Sequence, residues 1–129
     1  MSDRLLFVYD NLKVGFHPAD APYDGFEILA GEANCTAEGT LFDLGQNAGY
    51  IPIGSTVVRG QIWATSNLYL IQELKDFAYP DGNVKRDFIY VKIVDEDDDL
   101  VVPASVFTLD VVPDFAKRIE SGFWSVRYR

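Results

Sequence analysis

Cysteine, histidine and methionine each occur once in this chain of 129 residues. Cys35 alone cannot form an internal disulfide, so the fold must stand on its core and suits a reducing compartment. His17 has no second imidazole with which to share a metal, and it precedes Pro18 in a proline-rich stretch. Metal catalysis is therefore not expected. Cations are scarce as well: 11 Lys and Arg face 20 Asp and Glu, for a net charge of −9. Such a surface repels phosphate backbones and anionic lipid, which argues against nucleic acid and membranes as partners. No apolar run approaches membrane-spanning length. Met1-Ser2-Asp3-Arg4 leads into only five apolar residues, 5–9, so no signal peptide is read and a cytoplasmic protein is expected. Gly-x-Ser-x-Gly, a phosphate loop and a dinucleotide fingerprint are all missing.

What is present suits one globular domain over residues 1–129. Apolar residues make up 48% and aromatics 14% of the chain, too many for disorder. Residues 5–9 read as a short buried strand. Residues 15–25, with Pro18, Pro22 and Gly25, read as a loop. Strands are expected over 26–35, 37–44 and 57–65, with Gly60 marking a bulge or a close backbone approach. Residues 45–55 read as irregular. The best helix is 66–77, where Leu70, Ile71, Leu74 and Phe77 recur at helical spacing behind a cap at Ser66 or Asn67. Strands over 88–94 and 101–109 flank an acidic hairpin tip, and a short final helix is expected over 113–122. Strands and helices do not alternate, so a doubly wound parallel sheet is not expected. The fold class is α+β: a small, mostly antiparallel β-barrel or curled mixed sheet with two or more short helices packed on it.

Few residues invite chemistry. Asp95, Asp97 and Asp99 have the one-three-five spacing of a calcium loop, but Leu100 stands where its glycine belongs and Val106 where its bidentate acid belongs. The run reads as a solvated tip. Cys35 has no base near it in sequence and reads as a small buried hydrophobe. The turn after the first strand is more telling. A strand that ends tightly leaves backbone N–H groups able to hold an anion, and Asp10 and Asn11 tolerate the dihedrals this needs. By itself it reads as a plain turn.

Tyr9-Asp10-Asn11-Leu12-Lys13 with Gly15 resembles the Tyr-Gly-Ser/Thr-Leu-Arg turn of the γ-glutamylcyclotransferase-like (AIG2-like) superfamily. "GTLFDLGQNAGYIP" (39–52), "VVRGQIWATSNLYLIQELKDF" (57–77) and "IESGFW" (119–124) resemble its later segments in the right order, over nearly the whole chain. The resemblance implies one cavity, a strand-one turn that binds a substrate carboxylate, and no metal or cofactor. It implies substrate-binding roles for Tyr9, Asp10, Asn11, Leu12 and Arg86. In active members a glutamate past the helix deprotonates the α-ammonium of a γ-glutamyl group, and the freed amine closes 5-oxoproline.

Two departures stand out. Laid on this chain without gaps, the family's catalytic glutamate falls on Ala78, its glycine on Tyr79 and the tyrosine of Tyr-x-Arg on Val84, while Arg86 keeps the arginine. Loss of a general base forfeits about a hundred- to ten-thousand-fold in rate. Asp76 lies roughly 200° round a helix from position 78 and Glu73 roughly 140°, so neither is a natural stand-in; Asp81, in the next loop, is the weak catalytic candidate. The second departure is Asp10, in place of the turn's glycine. A carboxylate facing the cavity would repel a substrate carboxylate about 4 Å away by about 1 to 4 kcal/mol. The resemblance thus implies a family protein lacking its usual base, acting as a small-molecule-binding or interaction domain. Two alternatives stay open: an active γ-glutamyl amine cyclotransferase, an acyl or amide transferase without metal that uses a relocated carboxylate, or a pure protein-interaction domain. A γ-glutamyl or other amine compound, a homodimer or a protein partner are the expected partners.

Overall fold

A computed structural model describes residues 5–9, 26–30, 35–45, 48–79, 82–94 and 99–122. Their strands are β1 (Leu5–Val8), β2 (Phe26–Ala30), β3 (Cys35–Asp43), β4 (Ala48–Arg59), β5 (Gln61–Thr65), β6 (Val84–Val94), β7 (Asp99–Leu109) and β8 (Lys117–Arg118). One helix, α1 (Tyr69–Ala78), follows β5. The strands form one mixed sheet in the order β2-β5-β1-β7-β6-β3-β4, with β8 on β3. Among the described residues the sheet does not close into a barrel. The neighbours β1 and β7 run parallel, with Leu6 level with Ser105; the other pairings among the described residues are antiparallel.

Helix α1 forms where its periodicity places it. Ile71 and Leu74 are buried against Leu6, Trp63, Val84, Phe107 and Leu109 on one face of the sheet. Each such burial stabilises by about 1.5–3 kcal/mol. The helix starts three residues later than expected. Leu68 holds the cap position without a side-chain bond, while Asn67 Oδ1 accepts from the Tyr69 N–H at 3.0 Å, so Asn67 satisfies one orphan donor of the first turn. On the other face of the sheet, Phe7, Tyr9, Leu41, Ala48, Tyr50, Ile62 and Val106 share a second core.

Three expectations are corrected. Residues 48–55 are strand, not irregular: they form the first part of β4. Their pairing with β3 jumps from Gly39↔Thr56 to Thr40↔Ile51, so Pro52 to Ser55 bulge outward. Proline is tolerated at such a bulge because no ladder N–H is required there, and Thr40 Oγ1 donates to the Ile53 carbonyl at 2.6 Å across it. The helix expected over 113–122 is absent; turns flank the two-residue strand β8, and the Ile119 N–H donates to the Leu41 carbonyl at 2.8 Å. Tertiary pairing there overrides local propensity, and the described chain holds one helix where two or more were expected. Gly60 breaks the expected strand 57–65 into the end of β4 and β5. A Cβ at Gly60 would stand 2.5 Å from the Val8 carbonyl oxygen, so the close approach read from the sequence is present.

Candidate functional site

The first strand delivers Tyr9 to one end of the sheet, beside the end of β7. Tyr9 is buried, and its hydroxyl donates to the Phe107 carbonyl at 2.6 Å. Past the end of α1, Tyr79 is also buried; its hydroxyl donates to the Ala48 carbonyl at 2.8 Å and lies 3.2 Å from the Tyr9 hydroxyl. The Tyr79 ring meets Phe107 edge-on at 6.1 Å. The Tyr50 ring lies tilted beside that of Tyr9, with centres 5.4 Å apart, and its hydroxyl donates to the Glu38 carbonyl. Burial, then the charges of Asp87 and Glu38, push the Tyr50 phenol up to about 12, so it is a neutral donor across the physiological range.

Arg86 reaches the same end of the sheet. It is the register partner of Phe107, its Nε donates to Ser105 Oγ at 3.0 Å, and its guanidinium lies 5.7 Å from the centre of the Phe88 ring. Glu73 and Asp76 project from the exposed side of α1, where Asp76 accepts from Gln72 Nε2 at 2.9 Å. The helix runs its last turn through Ala78, and the Tyr79 N–H closes it on the Lys75 carbonyl at 2.9 Å. Elsewhere, an open groove of about 550 Å³ lies over β3, β4, β6 and β7, with Thr36, Glu38, Val57, Tyr90, Lys92 and Val101 among its lining residues. No cluster of three or more metal-ligating side chains occurs among the described residues.

Solved structures share this arrangement of strands and helix. The YtfP protein of Escherichia coli matches with 20% identity and a TM-score of 0.65, over 97% of this chain and 99% of its own. An AIG2-like protein from Mus musculus matches with 20% identity and a TM-score of 0.66, over 92% of this chain and 86% of its own. YkqA of Bacillus subtilis matches with 17% identity and a TM-score of 0.69, over 94% of this chain; the chain spans 39% of that protein's length. The chain has the γ-glutamylcyclotransferase-like fold. No family model matches the sequence. No curated protein matches it in sequence either.

Within this γ-glutamylcyclotransferase-like fold, the structure brings Tyr9 and Arg86 to the two sides of Phe107. Asp10, Asn11, Leu12 and Asp81 lie outside the described residues. Tyr79 was legible in the sequence only as an aromatic standing where the resemblance has glycine; that its hydroxyl joins Tyr9 to Ala48 came from the fold. Cys35 is buried, as expected of a small hydrophobe, and burial pushes its thiol up to about 12. No described helix is long and apolar enough to cross a membrane.

Proposed function

We propose that this γ-glutamylcyclotransferase-like chain has lost the family's proton acceptor and works as a small-molecule-binding or interaction domain in the cytoplasm. One observation carries the reading. Helix α1 ends in Ala78 and is followed by Tyr79, whose ring is packed on Phe107 with its hydroxyl on Ala48 and Tyr9. Alanine has no lone pair to take a proton from an ammonium group, and the next residue contributes a phenol rather than a carboxylate. Glu73 and Asp76, the nearest acids before it, lie on the exposed face of the helix. The ligand this favours is a γ-glutamyl compound or another small amine.

The test is 5-oxoproline release from γ-glutamyl dipeptides and γ-glutamyl amines at high protein concentration. No turnover above background is expected; saturable turnover would overturn the reading. Should turnover occur, Asp81→Asn decides whether the base has moved to that loop: loss of activity identifies it, and full activity rejects it.

The interaction reading has an observation of its own. Phe88, Tyr90, Val94 and Val101 leave large apolar surfaces exposed on the β6–β7 hairpin, and Tyr90, Val94 and Val101 line the groove described above. Exposed apolar patches of this kind mark contact surfaces. A second copy of the chain is the partner we favour, and sedimentation of wild type against Tyr90→Glu tests it: a dimer that the substitution dissolves supports the reading, and a monomer at high concentration rejects it.

A further inference from the structure

Helix α1 covers only one end of its sheet face. Val84, Phe107 and Leu109 lie under it. Side chains two apart along a strand share a face, so the same face continues through Phe88 and Tyr90 of β6 and Val101 of β7, all of them exposed. The register carries it on to β3 and β4, because Thr36 stands level with Lys92 and Glu38 with Val57. The groove of about 550 Å³ lies on this bare half. An uncovered apolar area of this kind calls for an occupant. Lys92 is already matched by Asp99 at 3.1 Å, so the groove offers an apolar floor with Glu38 in its wall.

The described chain ends at the rim of this groove. The Arg59 N–H donates to the Gly122 carbonyl at 2.8 Å, beside β4, the last strand in the sheet order. Gly122 lies so close to the carbonyl of Val57, a groove residue, that no Cβ would fit between them. Residues 123–129, Phe-Trp-Ser-Val-Arg-Tyr-Arg, lie outside the described residues. In their sequence Trp124, Val126 and Tyr128 alternate with Ser125, Arg127 and Arg129, the pattern of an extended segment with one face buried. Fully extended, such a segment reaches about 23 Å, whereas the four strands under the groove span about 14 Å. Its arginines bring cations to an acidic chain. Tethered at the rim, it meets the groove at an effective concentration on the order of millimolar, above that of a second copy in dilute solution. We infer that residues 123–129 occupy the groove of their own chain, with Trp124, Val126 and Tyr128 on its apolar floor, so that a second copy must displace them to dock. The inference rests on the interaction reading above for that competitor and adds to it how the site is regulated.

A nitroxide on Ser125→Cys in the full chain tests the placement by nuclear magnetic resonance. Cys35 is buried, so the label has one attachment site. Broadening of the Val57, Tyr90, Lys92 and Val101 amides is expected, and adding Val57→Lys to the labelled chain restores their signals. Undiminished signals at Tyr90 and Val101 overturn the inference. Equal broadening of isotope-labelled chains that lack the nitroxide, when mixed with nitroxide chains, also overturns it, because the occupant is then a second copy's segment. Sedimentation tests the competition: Trp124→Ala tightens self-association by about tenfold. No tightening, in a wild type that does dimerise, overturns the inference alone and leaves the interaction reading intact. If neither protein associates, the interaction reading falls, and the broadening still decides where the segment lies.

Discussion

Tyr79→Phe tests the packed end of the sheet most directly, because it removes one phenol oxygen and leaves the ring in place. The Ala48 carbonyl belongs to a residue with 0% exposure and loses a donor at 2.8 Å. The Tyr9 hydroxyl loses a neighbour at 3.2 Å but keeps the Phe107 carbonyl at 2.6 Å. The cost is thus mainly one buried carbonyl stripped of a partner, about 1–3 kcal/mol. Taken as about 2 kcal/mol in a domain of this size, it lowers the melting temperature by about 8 °C. Tyr9→Phe strips the Phe107 carbonyl and falls in the same range. In the double variant both carbonyls are stripped; each phenol proton goes to its own carbonyl, so the 3.2 Å approach of the two oxygens adds no further bond and the two costs add within about 0.5 kcal/mol. Thermal and urea denaturation, each followed by far-ultraviolet circular dichroism, measure all three. A Tyr79→Phe shift under about 2 °C would refute the argument that these hydroxyls hold the end of the sheet together.

Three further outcomes follow from the same coordinates. Gly60→Ala places a methyl 2.5 Å from the Val8 carbonyl oxygen and 2.8 Å from the Phe7 ring; the obstacle is the backbone of a central strand, so a loss of about 2–3 kcal/mol in urea unfolding is expected, whereas Gly82→Ala, at φ 72° with open space around it, loses about 1–2 kcal/mol. Burial holds the Cys35 thiol protonated up to about 12, against an ordinary value of 9.0; above pH 9 the unfolded chain releases this proton and the folded one keeps it, so stability is fully present below pH 9 and falls as pH rises toward 12. Urea titrations across that window show the decline, and Cys35→Ala makes its onset shallower. Lys92→Ala breaks the 3.1 Å contact with Asp99, but both side chains are about half exposed, so unfolding free energy changes by less than about 0.5 kcal/mol.

Much of the fold was legible because local and tertiary preferences agree. Leu70, Ile71, Leu74 and Phe77 announce α1, and its buried side is the one their spacing selects. Gly60 announces a close approach because no other residue fits against Val8. The irregular reading of residues 45–55 failed for a definite reason. Gly49, Pro52 and Gly54 are turn formers, and the strand they sit in survives by bulging at 52–55 and leaning on Thr40. The helix expected over 113–122 rested on Asp110 or Pro113 at its start and Gly122 at its end. Ile119 is instead buried in the larger core and bonded to Leu41, while Gly122 adopts φ 69° against the Val57 carbonyl. For the site, residue types revealed what is missing at position 78. They could not reveal which phenol oxygens point at which carbonyls, because those partners lie 31 and 98 residues away in the chain.

The central position of β1 has a bearing on how the protein comes into being. This strand sits between β5 and β7, with Leu6 opposite Trp63 on one side and Ser105 on the other. On the ribosome, the earliest of the described strands to emerge must wait for nearly a hundred further residues before its second flank is covered. Until then its apolar residues have an unfilled edge for company, and loop closure over that distance makes assembly slow. Production of this domain should therefore depend more on chaperone supply and growth temperature than its modest size suggests.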